Sequence, residues 1–228
     1  MHHIVTLTRI FVLSSLLFAC SGEKKETTEG ENESTKTSAK AEAVKKKTIL
    51  FFGNSLTAGY GLDDPSQSFS GLIQKKIDSL GLDYQVVNAG VSGETTSGGN
   101  SRIDWVLKNP LDVFVLELGG NDGLRGIPVP ETRKNLQSII DKVKAKYPDA
   151  RLVLAGMQMP PSMGNQYTTS FRKLYKELAD QNGIKLIPFL LEGVGGEVKL
   201  NQKDGIHPTA EGHKLVAGNV WQVIKEIL

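Results

Sequence analysis

Residues 48–60 read Thr-Ile-Leu-Phe-Phe-Gly-Asn-Ser-Leu-Thr-Ala-Gly-Tyr, and this stretch gives the first indication of the fold. Thr48–Phe52 is a short apolar run with strand-forming residues, and it ends in a loop of glycine and small polar side chains. A run of this length bounded by turn residues is typical of a buried strand. The loop presents Ser55 directly after the strand, where open α/β sheets bind their ligands.

Four more strand-like runs follow, and stretches with helical spacing of apolar residues separate them. The predicted strands are Tyr84–Val87, Asp112–Leu118, Arg151–Ala155 and Ile184–Pro188, and the predicted helices are Phe69–Leu80, Arg102–Leu107, Glu131–Tyr147, Tyr167–Gln181 and a last helix that begins at Pro208. Strands that alternate with helices form a mainly parallel sheet covered on both faces. We therefore predict one three-layer α/β/α domain over residues 48–228, with a five-stranded sheet.

Three polar blocks lie after later strands in the same way that Ser55 lies after the first. Asn88–Thr95 follows the second strand, Gly119–Asp122 follows the third, and Asp204–Pro208 lies between the last strand and the last helix. The carboxyl ends of parallel strands share one edge of a sheet. We therefore expect these blocks to converge there with Ser55.

The converging residues have the chemistry of a serine hydrolase. A serine hydroxyl such as that of Ser55 becomes a nucleophile only when a base takes its proton, and histidine suits this role near neutral pH. His207 is the candidate base, and Asp204, three residues before it, is the candidate group that orients it. The alternative for Asp204 and His207 is that they cap the last helix.

Hydrogen-bond donors for an oxyanion are also present. Backbone N–H groups of Ser55 and Gly93 and the side-chain amide of Asn121 are the candidates. Loss of one such donor costs on the order of 10²–10³ in rate. Read alone, Gly93 and Asn121 are equally well explained as residues of tight turns.

Taken together, the blocks resemble those of the SGNH, or GDSL-type, hydrolase superfamily, and most closely its bacterial thioesterase I / lysophospholipase / arylesterase branch. The resemblance covers essentially all of residues 48–228. It implies a flavodoxin-like sheet and a triad of Ser55, His207 and Asp204. It also implies that Ser55, Gly93 and Asn121 form the oxyanion hole, and that neither a metal nor an organic cofactor takes part. The expected substrates are small-molecule acyl esters, aryl esters, acyl thioesters or lysophospholipids.

One position departs from the family pattern. The residue before the serine is usually Asp, whereas this chain has Asn54. Asparagine keeps the size and an acceptor oxygen but loses the charge. If the usual Asp tunes the charge beside the serine, the rate or the pH profile shifts. We expect instead that this side chain only holds the loop, so that activity survives.

Two other functions stay open at this point. The same fold also serves carbohydrate O-acetylesterases, and substrate choice depends on loops such as 157–167. Met157, Met159 and Met163 in that loop either line an acyl groove or pack in the core. A non-catalytic lipoprotein that binds a glycan or a lipid on a degenerate scaffold is less expected, because no member of the triad or oxyanion hole is missing.

The N-terminal residues predict export and attachment to a membrane. Arg9 precedes an apolar run over 10–19, which has the length of a signal-peptide core but is too short to span a bilayer. The run ends at Cys20, the only cysteine, in a sequence that resembles a lipobox. We expect a lipoprotein signal over 1–19, lipidation of Cys20, and a flexible tether over 20–47. The simpler alternative is an ordinary signal peptide.

Composition argues against other classes of partner. The net charge is +2, and the basic residues do not form a stripe with interleaved aromatics, so nucleic-acid binding is not expected. The glycine-rich segments lack the spacing of nucleotide-binding loops. The carboxylates and histidines show no metal-ligand spacing, and His213 is expected to be a surface or packing residue.

Overall fold

The computed structural model describes residues 46–228, so the leader predicted over 1–19, Cys20 and most of the tether predicted over 20–47 lie outside the described residues. The first strand begins at Lys47, one residue before the predicted start. The Lys47 N–H donates a hydrogen bond to the Asp83 carbonyl at 2.9 Å, because Lys47 is already paired with Tyr84 of the second strand.

Strands and helices alternate along the described residues as predicted. The strands are β1 Lys47–Gly53, β2 Tyr84–Gly90, β3 Val113–Glu117, β4 Arg151–Ala155 and β5 Lys185–Ile187. The α-helices are α1 Ser55–Ala58, α2 Phe69–Ser79, α3 Thr96–Val106, α4 Gly120–Leu124, α5 Val129–Lys146, α6 Asn165–Asn182 and α7 Ala210–Ile224. Short 3-10 turns occupy Pro65–Gln67 and Pro161–Met163.

The five strands form one parallel sheet in the order β2-β1-β3-β4-β5. This is the flavodoxin-like order, so the predicted fold class is confirmed. The order reverses between β1 and β3, and the crevice at such a switch point is where doubly wound sheets bind ligands. The loops after β1 and β3 carry Ser55 and Asn121, so the topology itself brings these two residues together.

Aromatic side chains of β1 anchor both faces of the sheet. Phe51 packs edge-on against Phe69 of α2, with ring centroids 5.5 Å apart. Phe52 packs on the opposite face against Phe114 of β3 at 5.8 Å. Neither of these two β1 side chains is exposed to solvent, and burial of a phenylalanine contributes about 1.5–3 kcal/mol. The strand that carries the Ser55 loop is therefore held from both sides.

Helix α3 is longer than the predicted helix over 102–107. It begins at Thr96, after Thr95 caps its first turn by accepting a hydrogen bond from the Gly98 N–H. Glycines at 98 and 99 have low helix propensity and conceal this turn in the sequence. Gly99 is needed there because a Cβ would lie only 2.3 Å from the Leu118 side chain.

Pro208 does not begin the last helix, so this prediction is wrong. Thr209 is the N-cap of α7 and accepts a hydrogen bond from the Gly212 N–H at 3.2 Å. Pro208 instead forms an isolated antiparallel bridge with Asn201. A side-chain oxygen is the stronger start signal, since it satisfies an N–H group that has no partner within the helix.

Among residues 46–228, none of the helices is both long enough and apolar enough to cross a membrane.

His213 lies on α7. Of the two roles expected from the sequence, a surface residue or a packing residue, the structure shows the second. It is 1% exposed, its Nδ1 accepts a hydrogen bond from the Phe69 N–H at 3.1 Å, and its ring stacks on that of Phe69. Burial, and to a smaller extent the nearby His207, lowers the pKa of His213 to about 4. The imidazole is therefore neutral in the folded protein at neutral pH.

Stability should depend on the pH through His213. Because its pKa is lower in the folded protein than the ordinary 6.5, the neutral imidazole stabilises the fold above pH 6.5, and this contribution is lost as the pH falls towards about 4. We expect the unfolding free energy of the wild type to fall more steeply over this interval than that of His213→Asn, measured by urea denaturation. Parallel curves would rule out the assignment.

Candidate active site

Four of the predicted site residues meet at the carboxyl edge of the sheet. Ser55, His207 and Asn121 line a single cleft, and Asp204 contacts His207 from the loop before α7. Gly93 lies next to this group. Its neighbour Glu94 contacts Asn121, since the Glu94 carbonyl accepts a hydrogen bond from the Asn121 amide at 3.0 Å. The convergence expected from the sequence is therefore observed.

A hydrogen-bonded chain links serine, histidine and aspartate. The Ser55 Oγ lies 2.9 Å from the His207 Nε2, and the His207 Nδ1 lies 2.6 Å from the Asp204 Oδ2. Asp204 can accept only if Nδ1 carries the proton, which leaves Nε2 free to accept the serine hydrogen. This is the arrangement in which a histidine takes a proton from a serine.

Asp204 is held by its own loop. Its Oδ1 accepts backbone hydrogen bonds from Ile206 at 2.9 Å and from His207 at 3.0 Å, an Asx-type turn in which Gly205 has a φ of +70°. The hydrogen bond from the His207 ring, followed by that from its backbone, lowers the pKa of Asp204 to about 2. The carboxylate is therefore ionised at neutral pH.

Gln202 and Tyr60 connect the histidine loop with the serine loop, and neither was recognised in the sequence. The Gln202 Nε2 donates to the Tyr60 carbonyl at 2.7 Å and to the Pro208 carbonyl at 3.0 Å, while its backbone N–H donates to the His207 carbonyl at 2.7 Å. The Tyr60 ring lies over the His207 ring with centroids 4.7 Å apart. Both contacts hold His207 against the loop that carries Ser55.

Ser55 and Asn121 bring hydrogen-bond donors to the cleft, and Gly93 lies in the loop that the Asn121 amide contacts. Ser55 is the first residue of α1, and the first N–H groups of a helix have no partner within it. Asn121 uses one amide hydrogen on the Glu94 carbonyl, which orients the group and leaves the second hydrogen for a ligand. Gly93 has a φ of +79°, a conformation that favours glycine.

Arg102 supports the loop that contains Gly93, and this residue too was missed in the sequence. Its guanidinium forms two hydrogen bonds of 2.6 Å to the Glu94 carboxylate and donates to the Ala89 carbonyl at 2.7 Å. It also lies over the Phe52 ring, 4.0 Å from the centroid. A forked ion pair that is largely removed from water fixes the position of Glu94, and thereby of its neighbour Gly93.

Asn54, which departs from the family pattern, holds the serine loop as expected. Its Oδ1 accepts a hydrogen bond from the Leu56 N–H at 2.9 Å and so caps α1. Its Nδ2 donates at 2.8 Å to Glu117, a fully buried carboxyl group that sequence reasoning overlooked. A charged residue at the end of the apolar strand 113–117 was the available signal.

The cleft beside Ser55 has a volume of about 460 Å³ and mostly apolar walls. Met157 and Met159 line this cleft, and both also pack into the core. Met163 lies in a separate depression with Val129 and Tyr167. The remaining apolar lining consists of Leu56, Leu124, Pro160, Pro161, Phe189, Leu191 and Ile206.

Over residues 46–228, no cluster of three or more His, Cys, Asp or Glu side chains is arranged to hold a metal ion.

Comparison with known proteins identifies the family. Residues 51–215 match the model of the GDSL-like lipase/acylhydrolase family. Esterase TesA of Pseudomonas aeruginosa is 41% identical over 183 residues, covering 80% of this chain and 90% of that protein. Thioesterase 1/protease 1/lysophospholipase L1 of Escherichia coli K12 is 36% identical over 176 residues, covering 77% and 82%. The crystal structure of esterase EstA from Pseudoalteromonas, inhibited by monoethylphosphonate, superposes with a TM-score of 0.75 at 31% identity and covers 80% of this chain and 98% of that one.

The chain therefore belongs to the GDSL-like lipase/acylhydrolase family, and the predicted family is confirmed. It is an SGNH/GDSL-type esterase.

Gly119 should be required for the turn that presents Asn121. Its φ is +110°, and a Cβ there would lie 2.1 Å from the buried Tyr175 hydroxyl. We expect Gly119→Ala to lower the unfolding free energy by about 2–4 kcal/mol and to reduce ester hydrolysis as Asn121 is displaced. The matched control is Gly126→Ala, which has a φ of +67° but nothing within 4 Å of the new Cβ, and should cost about 1 kcal/mol. Equal effects of the two variants would contradict the steric argument.

Proposed function

We propose that the protein hydrolyses small-molecule acyl esters, with Ser55 as the nucleophile, His207 as the general base and Asp204 as the group that orients it. The observation that carries this proposal is the continuous hydrogen-bonded chain from Asp204 through His207 to Ser55 at the wall of an apolar cleft. A serine activated in this way attacks acyl carbonyl groups. The activities named for the two relatives, esterase, thioesterase, protease and lysophospholipase, all transfer an acyl group to water.

The proposed reaction has two halves. The Ser55 oxygen attacks the acyl carbonyl while the His207 Nε2 takes its proton, and the tetrahedral intermediate then expels the alcohol, which receives that proton. Water then attacks the acyl-enzyme carbonyl and gives a proton to the His207 Nε2. The bond between the Ser55 oxygen and the acyl carbon breaks, the Ser55 oxygen takes the proton from His207, and the carboxylic acid leaves. Asp204 stabilises the imidazolium in both halves, because it is ionised and 2.6 Å from the His207 Nδ1.

The negative charge of the tetrahedral intermediate is stabilised by the donors around Ser55. We assign the oxyanion hole to the N–H groups of Ser55 and Gly93 and to the Asn121 Nδ2. The Asn121 amide is oriented before substrate binds through its bond to the Glu94 carbonyl, so little reorganisation is needed as charge develops.

The cleft favours an apolar acyl group. Its walls are formed by methionine, proline, leucine, isoleucine and phenylalanine side chains, which lose contact with water when an acyl chain enters. Methionine side chains adapt to chains of different shape. This lining supports acyl esters and lysophospholipids over acetylated sugars, whose hydroxyl groups need polar partners.

Hydrolysis of p-nitrophenyl esters from acetyl to palmitoyl tests the proposal. We expect turnover by the purified protein, with a maximum above acetyl, and a loss of at least about 10³-fold in kcat in Ser55→Ala, since the nucleophile is removed. Ser79→Ala, at an exposed serine that ends α2, is the matched control and should retain wild-type turnover.

Acetylated xylan and chitin fragments are assayed beside the p-nitrophenyl esters, and three outcomes would count against the proposal. Turnover that survives Ser55→Ala would exclude the assigned nucleophile. A wild type that hydrolyses acetylated xylan or chitin fragments in preference to every longer acyl ester would favour the carbohydrate O-acetylesterase. A wild type that hydrolyses none of these substrates would favour a binding protein.

We also propose that the protein is a lipoprotein of a bacterial cell, anchored through Cys20 and facing the periplasm or the outer membrane. The support is the apolar run 10–19, which ends at the single cysteine in a sequence that resembles a lipobox. Multiple acyl chains would give stable attachment, because each buried CH₂ contributes about 0.8 kcal/mol.

The anchor is tested by expressing the full chain in bacteria supplied with an alkyne fatty acid. We expect the wild type to become labelled and to fractionate with membranes. Cys20→Ser should lose both properties but keep its ester hydrolysis, since the site lies within residues 46–228. Label or membrane attachment that persists in Cys20→Ser would refute the anchor.

A further inference from the structure

Glu117 is a buried carboxyl group directly beneath the loop that carries the nucleophile. It is the last residue of β3, it is fully buried, and it pairs in register with Gly53, two residues before Ser55. The loop closes tightly upon it, since a Cβ at Gly53 would lie 2.5 Å from the Glu117 Oε2. No step of the ester hydrolysis described above uses this group.

Four donors of the serine loop converge on the Glu117 carboxyl group. Its Oε1 accepts from the Asn54 Nδ2 at 2.8 Å. Its Oε2 accepts from the Asn54 N–H at 3.1 Å, from the Thr57 N–H at 3.3 Å and from the Thr57 Oγ1 at 2.8 Å. These donors lie on both sides of Ser55, so Glu117 fixes the backbone that flanks the nucleophile.

Asn54 carries this constraint to Ser55 itself. Its Oδ1 is turned towards the Leu56 N–H at 2.9 Å and lies 3.4 Å from the Ser55 Oγ. Because that oxygen is committed to the cap of α1, the amide nitrogen must point at Glu117. The side chain therefore has one orientation, in which its donor end meets a carboxyl group and its acceptor end meets the nucleophile loop.

The arrangement favours a carboxyl group that only accepts hydrogen bonds, because the Asn54 Nδ2 and the two backbone N–H groups can only donate. A carboxylate accepts from all four partners, whereas a protonated carboxyl group could place its hydrogen only on the Thr57 Oγ1, and the hydrogen bond that this hydroxyl donates would be lost. Burial raises the pKa of Glu117 to about 7, and the hydrogen bonds from Thr57 and Asn54 act against burial. The carboxylate therefore predominates above neutral pH.

Few other charges act on this group from the neighbouring elements. From α6, Tyr175 is neutral, because burial and then the charges of Asp122 and Glu117 raise its pKa well above 10. From α3, the Arg102 guanidinium reaches the Gly53 carbonyl at 3.4 Å and is paired with Glu94. The neighbours from the serine loop that contact Glu117 directly, Asn54 and Thr57, are uncharged.

We propose that Glu117 is a positioning residue for the nucleophile, that it does so as a carboxylate, and that the amide of Asn54 permits this charge. An aspartate at position 54 would place a second carboxylate oxygen about where the amide nitrogen now lies, 2.8 Å from the Glu117 Oε1. Two carboxylates at this distance repel each other, so the pair holds one shared proton until a higher pH removes it. With asparagine, the loop is held without that proton. The proposal rests on Ser55 being the nucleophile.

Single substitutions give the first part of the test. In Glu117→Gln, the new NH₂ group faces a donor in either orientation, so we expect kcat for p-nitrophenyl butyrate to fall by about 10- to 100-fold with KM changed by less than about threefold. In Asn54→Asp, we expect activity near the wild-type value at low pH and a new decline as the pH rises and the pair loses its shared proton. Thr57→Val, which removes one donor but no charge, should lower kcat without adding a pH limb.

The double variant Asn54→Asp/Glu117→Gln gives the decisive part. The new amide nitrogen at position 117 can donate to the new carboxylate at position 54. The amide oxygen at position 117 can accept from the backbone N–H groups of positions 54 and 57, so every partner is satisfied again with the charge moved. We expect kcat to return to within about threefold of the wild type and the alkaline decline to disappear. Rescue by a second substitution in one buried pair is not expected if each change merely damages packing.

Matched controls and melting temperatures complete the experiment. Glu177→Gln and Asn109→Asp make the same chemical changes at exposed positions and should leave kcat and the pH profile unaltered. Melting temperatures over the same pH range report the coupling of positions 54 and 117 without reference to turnover. Asn54→Asp should lose stability as the pH rises, and the double variant should not.

Two results would overturn the proposal. In the first, the single variants Glu117→Gln and Asn54→Asp both have a kcat within twofold of the wild type and unchanged pH profiles. In the second, the double variant shows no rescue: its turnover and its melting temperature are both as low as those of the more damaged single variant. Failure of the proposed hydrolase function would look different, since the wild type would then be inactive or Ser55→Ala would keep its turnover. The coupling of positions 54 and 117 in melting temperature would still decide whether Glu117 holds the loop as a carboxylate.

Discussion

The parallel pairing of β1 with β3 is the constraint on which the site depends. Gly53 pairs with Glu117, so both strands end at the same edge and at the same height. Ser55 leaves that edge on one side of the switch point and Asn121 on the other. His207 lies 152 positions further along the chain than Ser55, and its place is defined by hydrogen bonds to loops that the sheet has already fixed. Displacement of either strand would separate nucleophile, base and oxyanion donors together.

Two carboxyl groups lie close to the nucleophile, and their surroundings give them opposite properties. Asp204 is partly open to solvent, and hydrogen bonds from the His207 ring and backbone lower its pKa to about 2. Glu117 is fully buried, and desolvation raises its pKa to about 7 although four donors surround it. The first is a permanent anion that faces the base. The second lies beneath the loop, where it accepts hydrogen bonds from residues on both sides of Ser55. Environment rather than residue type separates the two roles.

Most of the fold was predictable because, in long apolar and amphipathic segments, the spacing of apolar residues indicates whether a strand or a helix forms and which of its side chains are buried. The strands around Leu50, Val115 and Val153 and the helix over 129–146 occur where their periodicity indicated. Errors occurred where a hydrogen bond outweighs propensity. Thr95 caps the start of α3 in spite of two glycines in its first turn, and Thr209 rather than Pro208 defines the start of α7 as its N-cap. The very short helices at Ser55–Ala58 and Gly120–Leu124 have too few residues for any periodicity to show, so neither helix was predicted.

The sequence by itself determined the order of strands and helices, the family, and the set of reactive side chains, because these depend on residue types and on spacing along the chain. The contacts that give those side chains their properties were decided only by the tertiary structure. Glu117 meets Asn54 across 63 positions, and Gln202 meets Tyr60 across 142. Neither pairing has a local signal, since partners brought together by sheet register and loop packing leave no periodicity behind. The burial that raises the pKa of Glu117 likewise exists only once the sheet and its helices have closed around it.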